Sequence, residues 1–314
     1  MRNPTLINTA LLFVAGGSAF VLTALVSSTG NGRVERGVET ILDETGAAIE
    51  VRDYTRIVST STIADDVLLR IIDPSRVLAV SSHSIRMDKS DAYADKIGVE
   101  HARDIETIIE LRPDLVFINN FVDRRHVERF KDAGLNVFDL GPMQGLDTLL
   151  KNIRQIARVL GIPERGEELA QEFVRRLDAV AMDVPEPQRR HGLYVGIHGD
   201  RLFGGASGTS FHDVLVAGGL VDVAADAGFT GWPAYTNEQL LGLDPPWIIT
   251  NRDTEQTLCR HPGFDSLTAC LARQVRGIAT DLLTDPGLGM VDAALAIRNA
   301  VYGPRPASLR TTPP

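Results

Sequence analysis

The chain lacks the short signatures that mark most enzyme classes. It contains no Gly-x-x-x-x-Gly-Lys, no Gly-x-Ser-x-Gly, no His-Glu-x-x-His and no Cys-x-x-Cys. Positive charge is also short: 32 Lys and Arg stand against 41 Asp and Glu, for a formal net charge of −9. That balance argues against a nucleic-acid partner, which needs a basic face, although a few local arginines would still suffice for an anionic small ligand. The 7 histidines form no local cluster, which weighs against a protein that coordinates a bare zinc or manganese ion. Cysteine is nearly absent. Cys259 and Cys270 are the only two, with His261 alone close by, so a structural zinc site lacks its ligands. In an oxidising compartment the pair would close a short loop by a disulfide; the alternative is two small buried thiols that never meet.

What is present begins with an apolar N-terminus. Over residues 1–30 Arg2 is the only charged side chain, and residues 10–26 are apolar or small. This reads as a secretory signal that delivers the chain to the periplasm, with an uncleaved membrane anchor as the alternative. No cysteine follows the segment, which rules out lipid attachment at a signal-proximal cysteine. The remainder is globular in composition, 44% hydrophobic and 23% charged, and long enough for two domains with separate cores.

Its most informative feature is a duplication. Residues 104–118 (Asp-Ile-Glu-Thr-Ile-Ile-Glu-Leu-Arg-Pro-Asp-Leu-Val-Phe-Ile) and 236–250 (Thr-Asn-Glu-Gln-Leu-Leu-Gly-Leu-Asp-Pro-Pro-Trp-Ile-Ile-Thr) follow one pattern. A capping residue type opens each, a Glu follows two positions later, and a proline stops the helix before a core strand. Glu106 and Glu238 fall in the first helical turn, where the macrodipole favours negative charge and side chains face solvent. Two similar α/β lobes, each with one carboxylate at an equivalent place, are expected.

The rest of the pattern agrees. Residues 40–51 read as a hairpin turning at Thr45-Gly46. Apolar runs at 56–59, 77–80, 115–118 and 136–140 read as parallel strands separated by helices. Helices are expected over 146–160 and 164–182, then a second α/β series with strands at 192–197, 247–250 and 275–279, a helix after Thr209 and a closing helix over 289–301. The expected organisation is a signal or anchor at 1–30, a first lobe at 31–142, a helix and long linking helix at 143–187, a second lobe at 188–303 and a tail at 304–314. The fold class is α/β, two parallel-sheet lobes joined by one rigid helix with a cleft between them. A continuous helical connection predicts only small closure on ligand binding.

Residues 56–69 (Arg-Ile-Val-Ser-Thr-Ser-Thr-Ile-Ala-Asp-Asp-Val-Leu-Leu), 106–116, Gly231-Trp232-Pro233 and Glu238-Gln239-Leu240 together resemble the periplasmic substrate-binding proteins of ABC importers for ferric siderophores, haem and cobalamin. The resemblance runs from about Thr40 to Gly303 and leans toward the cobalamin-binding member. It implies no enzyme activity and no intrinsic cofactor, a monomer that captures an iron chelate, haem or cobalamin, and delivery to a permease dimer. It also implies that Glu106 and Glu238 pair with permease arginines. The runner-up is a two-lobed α/β enzyme, and after it a bare-metal binder; a turnover assay separates the first.

Ligands of such folds sit where loops leave the carboxyl ends of strands. That places Ser61, Thr62, His83, Ser84, Asn120 and Phe121 in the first lobe's share of the site, and His198, Arg201, Ser207, Trp232, Asn251 and Arg252 in the second's. Trp232 would stack on a ring or chelate face, and arginines such as Arg86, Arg124, Arg201 and Arg252 would meet anionic groups. The glycine-rich stretch 204–209 is either an anion cradle at a helix start or a tight turn. His83 and His198 are the only metal-ligand candidates, one per lobe, and simple loop histidines are the competing reading. Haem binders of the resembled family often use a tyrosine, and the reading finds none in the equivalent first-lobe loop.

Overall fold

The helix of residues 62–71 starts where it does because Ser61, extended at φ −110°, turns its hydroxyl back onto the Ala64 amide. Such local devices set the boundaries throughout the computed structural model, which describes residues 38–87, 91–100, 104–119, 123–199, 201–285 and 287–304. Asn120, Phe121 and the segments 1–30 and 305–314 lie outside the described residues.

A hairpin opens the chain, β1 (Thr40–Leu42) against β2 (Ala48–Glu50), its turn held by the Asp43 carboxylate, which accepts from Thr45 and Ala47 amides. The first lobe follows as β3 (Ile57–Ser59), α1 (Thr62–Ile71), β4 (Val77–Ser81), α2 (Ser82–Met87), β5 (Ile97–Val99), α3 (Ile105–Glu110), β6 (Leu115–Ile118), α4 (Arg124–Asp132) and β7 (Val137–Asp139). Its parallel sheet has the order β5-β4-β3-β6-β7. Central strands are buried on both faces, so β6 reads Leu-Val-Phe-Ile without a polar residue. Next come α5 (Leu146–Val159) and α6 (Pro163–Ala181), an antiparallel pair that turns at Gly161, with Pro163 opening the second helix. Gly166 lets them touch: a Cβ there would sit 2.4 Å from that of Ala157.

The second lobe contains β8 (Arg190–Tyr194), β9 (Gly196–His198), β10 (Arg201–Phe203), α7 (Ser210–Ala217), β11 (Leu220–Asp222), α8 (Val223–Asp226), β12 (Ala234–Tyr235), α9 (Asn237–Leu243), β13 (Trp247–Asn251), α10 (Thr268–Leu271), β14 (Val275–Ile278), α11 (Thr280–Leu283) and α12 (Met290–Tyr302). Its parallel sheet has the order β11-β8-β13-β14. The single strand expected at 192–197 is instead two, because the chain breaks at Val195 and β9 joins β10 and β12 in a small antiparallel sheet. β5 is an edge strand with two of its three residues exposed, too weak a pattern to be read from sequence.

The two lobes share a core. One buried cluster runs from Phe117 and Ile153 through Phe173 to Tyr194, Trp247 and Met290. From Val38 onward the chain is one compact unit. The lobes also meet at Gly145, where a Cβ would lie 2.4 Å from Asp213 Oδ2; that carboxylate accepts the Leu146 amide at 2.6 Å and so caps α5 from the other lobe. The Ser210 backbone amide also donates a hydrogen bond to the Gln144 carbonyl. A wide hinge would have to break all of this, which supports the expectation of small closure. No helix among the described residues is long and apolar enough to cross a membrane.

Cys259 and Cys270 are joined by a disulfide that ties a short turn to α10 over buried Phe264 and Leu267. Replacing both with serine should cost about 2–3 kcal/mol of stability by the loop-entropy account, read as a lowered urea midpoint. An unchanged midpoint would mean the bridge constrains nothing.

Candidate functional site

Strand order locates the crevice. In the first sheet the chain direction of winding reverses between β3 and β6, and in the second between β8 and β13, so the loops leaving these strands diverge and open a groove. A cavity of about 270 Å³ lies between the lobes. From the first lobe it takes Thr62, Asp66, His83, Ser84 and Tyr93; from the second, Asp281, Thr284, Asp285 and Asp292; Arg70 of α1 and Arg176 of α6 complete its charge. Thr62, His83 and Ser84 are thus brought together as the sequence reading expects.

The other candidates among the described residues are placed elsewhere. Ser61 is fully buried as the α1 cap, with Ser59 Oγ on its backbone, and does not face the cavity. His198 and Arg201 are exposed and sit opposite each other on β9 and β10, and Trp232 is 48% exposed in the turn before β12. Asn251, at the carboxyl end of β13, meets the Tyr194 hydroxyl at 3.4 Å, and Arg252 is exposed beside it. Ser207 bridges to Thr230. None of these six lines the cavity, so His83 and His198 do not share it; nor is any group of three His, Cys, Asp or Glu placed to hold a metal among the described residues. The glycine-rich stretch has a packing cause: a Cβ on Gly204 would strike Tyr235 at 2.4 Å, and one on Gly205 would strike Phe211 at 2.5 Å.

Two features escaped the sequence reading. Tyr93, between α2 and β5, was not among the candidates; it lines the cavity and donates to Asp66 Oδ1 at 2.5 Å. The second is the run of acids over 281–292, far in sequence from every first-lobe loop. Asp66 Oδ2 and Asp285 Oδ1 both lie within 4 Å of where a Gly287 Cβ would stand, so carboxylates of opposite lobes face one another. Burial, and then the Asp66 charge, push the Asp285 carboxyl up to about 6, against the opposing amide of Gly287. Behind Ser84 lies Asp65, wholly buried, whose Oδ2 accepts the Ser81 amide at 3.0 Å and the Ser84 hydroxyl at 2.6 Å. Burial raises its carboxyl to about 7, opposed by the polar groups of Ser59, Ser84 and Ser81.

The duplicated segments keep their geometry and differ in detail. Arg112 and Asp244 are both left-handed, at φ 45° and 35°, each just before a proline. Thr236 caps α9 as expected, in a capping box with Gln239, but Asp104 does not cap α3: its carboxylate turns back to accept the Glu100 amide at 2.7 Å. Glu106 and Glu238 are both exposed. Glu106 is already bonded to Arg129 of α4 at 2.6 Å, which holds its carboxyl below the usual range, whereas Glu238 is held low by its own backbone amide and by Thr236.

Comparison with known proteins supplies the context. Residues 57–282 match the model of the family described as periplasmic binding protein. The uncharacterized ABC transporter substrate-binding lipoprotein YvrC of Bacillus subtilis is 20% identical over 238 residues, 72% of this chain and 75% of that one. A cobalamin-binding protein of Halobacterium salinarum is 25% identical over 257 residues, 79% of this chain and 69% of its own. Among solved structures, a possible iron-binding (periplasmic solute-binding) protein of Staphylococcus epidermidis superposes with a TM-score of 0.71 at 19% identity, covering 80% of this chain and 99% of that one.

Proposed function

Because the chain belongs to the periplasmic binding protein family, we propose that its inter-lobe cleft captures a metal chelate outside the cytoplasm and hands it to an ABC importer permease. The observation that carries this reading is the cavity itself, built by both lobes at the carboxyl ends of β3, β4 and β14. Residues 1–30 serve as the export segment, and Glu106 and Glu238 dock the two permease subunits. No step of this cycle asks for catalysis or a resident cofactor.

The lining favours one kind of chelate. Among the described residues of the lining, four aspartates, 66, 281, 285 and 292, face two arginines, 70 and 176, so this lining carries excess negative charge at neutral pH. Carboxylate-bearing ligands such as haem meet repulsion there, while a neutral or cationic complex rich in amide donors finds acceptors. A corrinoid fits that description, in line with the Halobacterium relative. The 270 Å³ cavity takes only an edge of so large a molecule, and the open cleft holds the rest.

Purified protein should therefore bind cyanocobalamin or dicyanocobinamide with micromolar or tighter affinity by calorimetry, and the dicarboxylate haemin more weakly. Tight binding of a sugar or amino acid, with no response to any chelate, would overturn the reading.

A further inference from the structure

We infer that Asp65 and Ser84 form a proton-controlled recognition pair, in which the buried carboxylate decides whether Ser84 offers the ligand an acceptor or a donor. The inference rests on the proposed role of the cleft as the binding site and adds a specificity device to it.

The geometry leaves few choices. Ser84 is 7% exposed, and the little that shows faces the inter-lobe cavity. Its hydroxyl has a single hydrogen, and that hydrogen goes to Asp65 Oδ2 at 2.6 Å. Toward the cavity Ser84 then has only lone pairs, and it accepts from ligand amides or hydroxyls. A proton arriving on Asp65 settles best on Oδ2. There it finds Ser84 Oγ as an acceptor, whereas Oδ1 has no hydrogen-bond partner among the described residues. The O–H of Asp65 now donates to Ser84, and the Ser84 hydrogen is released to point at the ligand. One buried proton reverses the polarity of the site without moving a heavy atom.

The surroundings keep this titration within reach. Asp65 is wholly buried among neutral groups, Ser59 of β3, Ser81 of β4 and Ser84 of α2, with no cation bonded to it. Burial disfavours its negative charge, and the charge of Asp66 acts in the same direction. Among the described residues, the other ionisable groups at the cavity are Arg70, His83, Tyr93, Arg176, Asp281, Asp285 and Asp292; of these His83 and Asp285 need their own controls. Above neutral pH the pair selects ligands that donate at this position, such as side-chain amides. Below it, ligands with an accepting oxygen gain.

Two measurements test the pair. In ligand-free protein, Ser84→Ala removes a bond that only the ionised carboxylate receives from a hydroxyl, so the pH midpoint of the stability change assigned to Asp65 should move upward. An unmoved midpoint overturns the coupling. In binding, cyanocobalamin and its monocarboxylate derivative are titrated at pH 6 and pH 8. The ratio of their affinities should change about tenfold between the two pH values in wild type and less than twofold in Asp65→Asn and Ser84→Ala. His83→Gln and Asp285→Asn should keep the tenfold change. A change that survives in Asp65→Asn, or that disappears in His83→Gln, assigns the effect elsewhere and overturns the inference. If neither corrinoid nor any other chelate binds at all, the proposed function fails first, and the recognition role falls with it.

Discussion

Exchanging Glu106 and Glu238 together for alanine should reduce uptake of the ligand at least tenfold while leaving ligand affinity within about twofold of wild type. Interface charge pairs that touch neither core nor ligand affect association and not the isolated protein. Both carboxyls are held below their ordinary range, so both are ionised at any physiological pH. The single changes should be unequal. Glu238 is free to meet a permease cation directly, whereas Glu106 must first leave Arg129, so Glu238→Ala should cost the more of the two. Uptake and co-purification with the permease, measured at low and high salt, check this, since contacts of this exposure weaken as salt rises. If Glu106→Ala weakens ligand binding by the isolated protein as much as it weakens uptake, the residue belongs to the site and the docking role is wrong.

Asp65→Asn should make the protein more stable above pH 7 and change little at acid pH. The carboxyl lies near 3.8 in the unfolded chain and at about 7 in the folded one. Between those values the native state holds the extra proton, so stability falls as pH rises through the window and the penalty is complete above it. At about 1.4 kcal/mol per pH unit the ceiling is about 4 kcal/mol, and relaxation around the site will return less. Asparagine has the same shape and no charge, and removes the penalty. Urea unfolding at pH 5 and pH 8 measures it: the variant's gain over wild type should be at least about 1 kcal/mol larger at pH 8 than at pH 5. Equal stability at both pH values would mean that the folded carboxyl titrates like the unfolded one because water reaches it.

Much of the architecture was legible in the sequence because burial leaves a periodic trace. β6 and β13 sit inside parallel sheets and are apolar on both faces, so they stand out as continuous runs. α6 announces itself by Pro163 at its start and a long stretch of good helix formers. The membership in a periplasmic binding protein family follows from such segments in combination. Where the pattern is short the reading fails: β5 has one buried residue in three, and β9 and β10 have three residues each. Asp104 has the right chemistry for a cap, and only its backbone, at φ −109° and ψ 31°, turns the carboxylate to Glu100 instead.

The candidate site divides the same way. Thr62, His83 and Ser84 were legible because each follows a recognisable strand, and a loop after a parallel strand points to the crevice wherever the chain goes next. Which second-lobe loop closes on them was not legible. Two hundred residues of chain separate His83 from Asp285, and only the packing of α6 against α1 and α12 brings them to one cavity. The sequence by itself determined the buried parallel strands, the longer helices, the duplicated acids and the family, since these depend on local propensity and on which faces must be buried. Tertiary structure alone decided that Asp281–Asp292 and not Trp232 completes the cavity, that Glu106 is already paired, and that Asp65 is wholly buried behind Ser84. Each of those depends on distances between segments far apart in the chain, which no local pattern encodes.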